Sequence, residues 1–174
     1  GLSLVRRVMR NAYGDSWHTI DRQGRYSWTR ETVKEILTPS RIYTGAVVDM
    51  FGGYQGEPKA EVHGVAHITG GGIPGKLGRV LKPSGLGAVV HSPFEPSNIM
   101  RYVQFVGKVP HEEAYKTWNM GHGMIIVTPE PFEVMKVAKE HGIESKMIGE
   151  VTKYPGIQIM NKGVASNGKM LYFD

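Results

Sequence analysis

The chain has 174 residues, a formal charge of +5 and no cysteine. That length suits one ordinary domain with its own core, and the missing cysteines exclude disulfides, Cys-ligated zinc and thiolate nucleophiles. Hydrophobic residues at 40% against 21% charged exclude a disordered chain, and no apolar run approaches the ~20 residues of a membrane span. No signal-peptide pattern opens the chain, so a cytoplasmic setting is expected. The basic residues are scattered rather than run together, which suits a small anionic substrate better than a nucleic acid.

Leu2, Leu4, Val5, Val8 and Met9 recur at helical spacing from the outset. The pattern predicts a helix entered partway, and so a chain that is a piece of something longer. Residues 11–28 are polar and turn-rich and read as a surface loop. A short helix is expected over 30–37. Thr32 and Glu35 have the spacing of a capping box, and Thr38-Pro39 ends the helix because a residue before proline avoids the helical region. Residues 42–50 suit another helix, closed by Gly52-Gly53.

Residues 61–69 alternate. Val62, Gly64, Ala66 and Ile68 point one way, and His63, Val65, His67 and Thr69 the other, which predicts a strand. Gly70, Gly71 and Gly72 then lead into a helix over 74–81. A strand over 87–91 follows, then a helix over 96–106 with Ile99, Val103 and Val106 on one stripe. A short helix over 111–118 and an apolar strand over 122–128 come next. The following helix is marked by Thr128 as cap, Pro129 in its first turn and Glu130 at the positive end of its dipole. Phe132, Met135 and Ala138 are its expected buried stripe, and Gly142 its stop. A strand over 146–151 and a hairpin of 156–161 with 169–173, turning at Asn167-Gly168, complete the chain. Strands alternating with helices predict an α+β domain, a mixed β-sheet covered by α-helices.

Three motifs carry chemical interest. His63 and His67 would share a ligand face on a helix. On a strand they stand about 13 Å apart, too far for one metal ion, so no metal site is expected. His67 remains a hydrogen-bonding or acid–base candidate beside the glycines. Thr69-Gly70-Gly71-Gly72 joins a strand to a helix, where glycines let backbone N–H groups approach an anion and the helix N-terminus adds its dipole. The same residues also suit a tight turn that binds nothing, and they match neither a P-loop nor G-x-G-x-x-G. Asn119-Met120-Gly121-His122-Gly123-Met124 precedes a strand. Gly121 and Gly123 allow close approach by ligand or backbone, and Asn119 either bonds a substrate amide or caps the helix end before it. No nucleophile–base constellation stands out, so spacing alone leaves the reaction open.

Two of these stretches resemble a known family. Val62-His63-Gly64-Val65-Ala66-His67-Ile68-Thr69-Gly70-Gly71-Gly72-Ile73 resembles the A-H-I-T-G-G-G segment of aminoimidazole ribonucleotide (AIR) synthetases, the phosphoribosylformylglycinamidine cyclo-ligases. Tyr115-Lys116-Thr117-Trp118-Asn119-Met120-Gly121-His122-Gly123-Met124 is similar to their F-N-M-G-x-G-M segment. Gly1-Leu2-Ser3-Leu4-Val5-Arg6 and Leu37-Thr38-Pro39-Ser40-Arg41-Ile42-Tyr43 resemble two further segments, G-Y-S-L-V-R and L-T-P-T-R-I-Y, in family order. His122 stands where the family usually has an apolar residue, and Pro74-Gly75-Lys76 also departs from its pattern.

The resemblance covers the family's C-terminal domain. It implies such a domain over 1–155, a hairpin extension over 156–174, and an N-terminal ATP-binding domain that is not in this chain. It implies ATP-dependent ring closure of formylglycinamidine ribonucleotide in purine biosynthesis. ATP would activate the formyl amide oxygen as a phosphate ester, and the substrate nitrogen would displace phosphate from the activated carbon. ATP and Mg2+ would be held mostly by the missing domain. The partners implied are that domain, a ribonucleotide substrate and a second subunit in a homodimer, with neither nucleic acid nor membrane. His67 and Asn119 would be the catalytic residues, and Thr69, Gly70, Gly71, Gly72, Gly121 and Gly123 the substrate- and phosphate-binding ones. A non-catalytic ribotide-binding paralogue and another ATP-dependent enzyme of the superfamily are the alternatives.

Overall fold

The structure, a computed structural model, describes residues 1–18, 35–166 and 168–174. Helix α1 (Leu2–Tyr13) is amphipathic, burying Leu4, Val8 and Met9, and ends at Gly14, which takes a left-handed φ of 80°. It packs on α4 (Asn98–Gly107), and the hydroxyls of Tyr13 and Tyr102 hydrogen-bond across the two helices. Burial pushes the Tyr102 phenol up to about 12. The helix expected over 30–37 falls mostly outside the described residues. Within them Glu35 and Ile36 are helical, and the Glu35 carboxylate accepts from the Ile99 amide at 3.2 Å, in the first turn of α4.

Among the described residues the strands form two sheets. One is a two-stranded antiparallel ribbon of β1 (Gly64–His67) and β3 (Met124–Val127), with Ala66 opposite Ile125 and His67 opposite Met124. The other is mixed, in the order β4 (Gly149–Thr152), β2 (Gly87–Val90), β5 (Gly156–Met160), β6 (Met170–Phe173). Within it β2 and β5 run parallel, and the two outer pairs are antiparallel. The α+β class with a mixed sheet is therefore what the chain folds into, with the ribbon standing as a second sheet. The terminal hairpin lies within the mixed sheet, where Ile157, Ile159, Leu171 and Phe173 are buried.

The main core gathers β1, α3 (Gly72–Leu81), β2, β5, β6, α4 and α5 (His111–Thr117) around Ala66, Ile73, Leu77, Val90, Tyr115 and Ile159. A second core joins α2 (Thr44–Met50) to α6 (Pro131–Glu140) through Ala46, Met50, Val134, Val137 and Ala138. The expected stripe of α6 is corrected here. Ala138 is buried, but Phe132 is 71% exposed, and Val134 and Val137 take the interior. The helix starts at Pro131, and Thr128 instead accepts from the Glu130 amide through its hydroxyl at 2.9 Å. Both stripes fit a 3.6-residue period. The small residues Ala46 and Ala60 in this second core accommodate the valines, and the phenylalanine stays outside.

Candidate functional site

The alternation read in the sequence places Ala66 and Ile68 inside and His67 and Thr69 outside. Past His67, the Ile68 amide still donates to the Gly123 carbonyl at 2.9 Å. The chain then turns into α3 through Gly71 and Gly72, at φ of 97° and 59°, backbone that glycine adopts without strain. Gly70 and Gly71 are exposed. A Cβ on Gly70 would meet nothing within 4 Å, and one on Gly71 only the Gly75 Cα at 3.8 Å. Among the described residues neither of their amides donates to a protein acceptor. The first turn of α3 holds no acidic side chain, so its positive end is uncompensated.

Gly72 behaves differently. Its amide donates to the Thr69 carbonyl at 2.9 Å, and a Cβ there would lie 1.7 Å from the Tyr115 carbonyl oxygen and 2.9 Å from that of Trp118. Two of the three glycines face open space. The third, expected among the phosphate donors, turns inward and lets α3 seat against the end of α5.

That seat also positions the second loop. Tyr115 is fully buried; its hydroxyl accepts from the Lys162 amide at 2.9 Å and reaches the Met160 carbonyl at 3.5 Å. Burial raises the pKa of this phenol. The chain leaves α5 through Trp118 into Asn119, whose Oδ1 accepts from the Gly121 amide at 3.2 Å. Asn119 therefore braces its own loop through Oδ1 and has its side-chain NH2 to offer a ligand. Gly121 and Gly123 are close-approach positions. A Cβ on the first would lie 2.4 Å from the Glu95 carbonyl oxygen, and one on the second 1.7 Å from the Tyr43 hydroxyl.

His122, the departure noted in the sequence, is a buried hub. Its Nδ1–H donates to the Met120 carbonyl and its Nε2 accepts from the Phe94 amide, both at 3.0 Å. The two partners set the tautomer, and burial pushes the pKa down, outweighing the Met120 carbonyl, which pulls it up. It ties the second loop to the 93–95 segment and has no nitrogen left for a ligand.

The two loops meet at one end of the β1–β3 ribbon, because β1 leaves into the glycines where β3 begins after Gly123. His67 lies there on the exposed face, and the Tyr43 ring meets it edge-on with centroids 6.1 Å apart. His63, at the other end of the strand, pairs with Glu61 at 2.6 Å. Below Tyr43 and Gly123 opens an apolar cavity of about 600 Å³ between the ribbon and β4, walled by Val47, Met124, Ile126 and Met135. Tyr43 ends the segment that resembles L-T-P-T-R-I-Y, but nothing in that segment places its ring beside the glycine loops. The signal for the contact is Gly123, which announces a close approach without saying by what.

These features define an α+β domain in which two glycine loops converge on one end of an antiparallel ribbon. Residues 11–161 match the family model described as AIR synthase related protein, C-terminal domain. The chain belongs to that family and carries its C-terminal domain. It is similar to the phosphoribosylformylglycinamidine cyclo-ligase of Methanopyrus kandleri, 33% identical over 165 residues, 94% of this chain and 43% of the relative. The enzyme of that name from Methanococcoides burtonii is 37% identical over 161 residues, 91% of this chain and 42% of the relative. That of Methanocaldococcus jannaschii is 34% identical over 169 residues, 94% of this chain and 45% of the relative. The chain thus spans less than half the length of these curated relatives.

Proposed function

We propose that this chain supplies the C-terminal half of an ATP-dependent cyclo-ligase that closes formylglycinamidine ribonucleotide to aminoimidazole ribonucleotide. One observation carries the reading: the Gly70 and Gly71 amides stand unpartnered and open beside the positive end of α3, in a family whose matched relatives bear the cyclo-ligase name. Bare amides and a helix N-terminus suit a phosphate, of the ribotide or of the group being transferred. Thr69 would add its hydroxyl, and His67 would steady charge on the same exposed face. The Asn119 NH2 would reach the ligand from the second loop, whose Gly121 and Gly123 set the floor. ATP and Mg2+ would be bound chiefly by the other half of such an enzyme. ATP supplies the phosphoryl group that makes the amide oxygen a leaving group, and this chain's residues contribute positioning and charge stabilisation.

Amide NMR on the 174-residue chain tests the reading. Titration with inorganic phosphate and with formylglycinamidine ribonucleotide is expected to shift the Gly70 and Gly71 resonances and leave Gly72 in place. ATP turnover is expected only when an N-terminal half is supplied. Ligand-independent Gly70 and Gly71 signals, or full ATP turnover by the chain alone, would overturn it.

A further inference from the structure

We infer that Tyr43 is a further ligand-positioning residue of this site, its phenol hydroxyl taking a polar atom from the non-phosphate end of a phosphorylated amide. The inference rests on the reading of the glycine loop just given, and three observations carry it.

The first is proximity. His67 and Thr69 are both exposed, two residues or about 6.6 Å apart along an extended chain. Tyr43 packs edge-on against His67, and its hydroxyl stands over Gly123, whose carbonyl accepts from the Ile68 amide between His67 and Thr69. The phenol therefore borders the same end of the ribbon as the open amides, within reach of a ligand whose phosphate sits on them.

The second is Gly123. Its backbone does not take positive φ, so the local conformation suits any residue. What requires glycine is the Tyr43 hydroxyl, 1.7 Å from where a Cβ would stand. A ring filling space would not need its polar tip brought this close to the backbone. The third is satisfaction. Among the described residues the Tyr43 hydroxyl has no hydrogen-bond partner, although it is half-buried and borders the cavity. The segment carrying it is nonetheless held, since the Arg41 guanidinium donates to the Gly142 carbonyl at 2.7 Å. A held hydroxyl without a partner is prepared for one that arrives with the ligand.

Isothermal titration of the chain with formylglycinamidine ribonucleotide and, separately, with inorganic phosphate tests this. Tyr43→Phe keeps the ring and removes the hydroxyl. It is expected to leave melting temperature and phosphate affinity unchanged and to weaken ribotide binding about fivefold to tenfold, the worth of one hydrogen bond. Gly123→Ala, which pushes the phenol aside, is expected to give a similar loss, and the double variant no more than either alone. Equal ribotide affinity for wild type and Tyr43→Phe overturns the inference and leaves the loop reading standing. So does wild type that binds phosphate but not the ribotide. A Tyr43→Phe variant that loses phosphate affinity and melting temperature together assigns Tyr43 a structural role and also overturns it. Wild type that binds neither probe removes the loop reading, and the inference with it.

Discussion

Gly72→Ala separates the structural glycine from the two that face open space. The new Cβ would stand 1.7 Å from the Tyr115 carbonyl oxygen and 2.8 Å from its carbon. Both obstacles are backbone, so no side chain can swing away. A normal contact requires α3 and α5 to part by roughly 1.5 Å, which loosens the dispersion contacts of fully buried Ile73 and Tyr115. A φ of 59° adds about 1–2 kcal/mol for any residue with a Cβ. Together these predict a loss of at least ~3 kcal/mol, in the range of core disruptions. Urea unfolding followed by circular dichroism measures it, as a fall in midpoint at unchanged slope. Gly70→Ala is the control. Its Cβ meets open space and its φ is not left-handed, so stability should stay within about 0.5 kcal/mol of wild type. A Gly72→Ala variant within 1 kcal/mol of wild type would refute the claim that this glycine exists for helix packing.

The buried imidazole of His122 gives a pH signature. Its folded pKa is pushed below the ordinary value by burial, so in the window beneath about 6.5 the unfolded chain binds a proton that the folded chain does not. Stability is therefore expected to fall as pH drops through 6.5 and to level off below the folded pKa. His122→Phe should flatten that dependence while costing about 1–3 kcal/mol at pH 7 for the orphaned Phe94 amide; an unchanged slope in pH-dependent denaturation would show that another group titrates. Gln104 is buried, donates to the Val109 carbonyl at 3.3 Å and accepts from the Val164 amide at 3.1 Å. Gln104→Leu should cost about 2–4 kcal/mol and speed hydrogen exchange at Val164, and an unmoved exchange rate would contradict a role in holding the 161–166 turn.

Periodicity located the elements because each rests on a short-range constraint. The alternation of 61–69 and the 3.6-residue stripes of α1 and α4 follow from chain geometry and carry their own inside and outside. On α6 this reasoning reached its limit, because Phe132 and Val134 are both admissible on an interior face, and only the close approach of α2 chooses between them. The site divides in the same way. Three glycines between a strand and a helix are visible at once, and so is their capacity to present amides.

Composition, hydrophobic spacing and glycine placement thus determined the α+β class, the order of elements and the presence of two loops able to approach a ligand. These depend on neighbours along the chain. Tertiary structure alone decided that Gly72 faces Tyr115 rather than an anion, that His122 is sealed between Met120 and Phe94, and that Tyr43 lies over Gly123. Each of those contacts joins residues 28 to 80 positions apart or depends on burial that such contacts create. No local pattern records which distant backbone will occupy the space a missing side chain leaves.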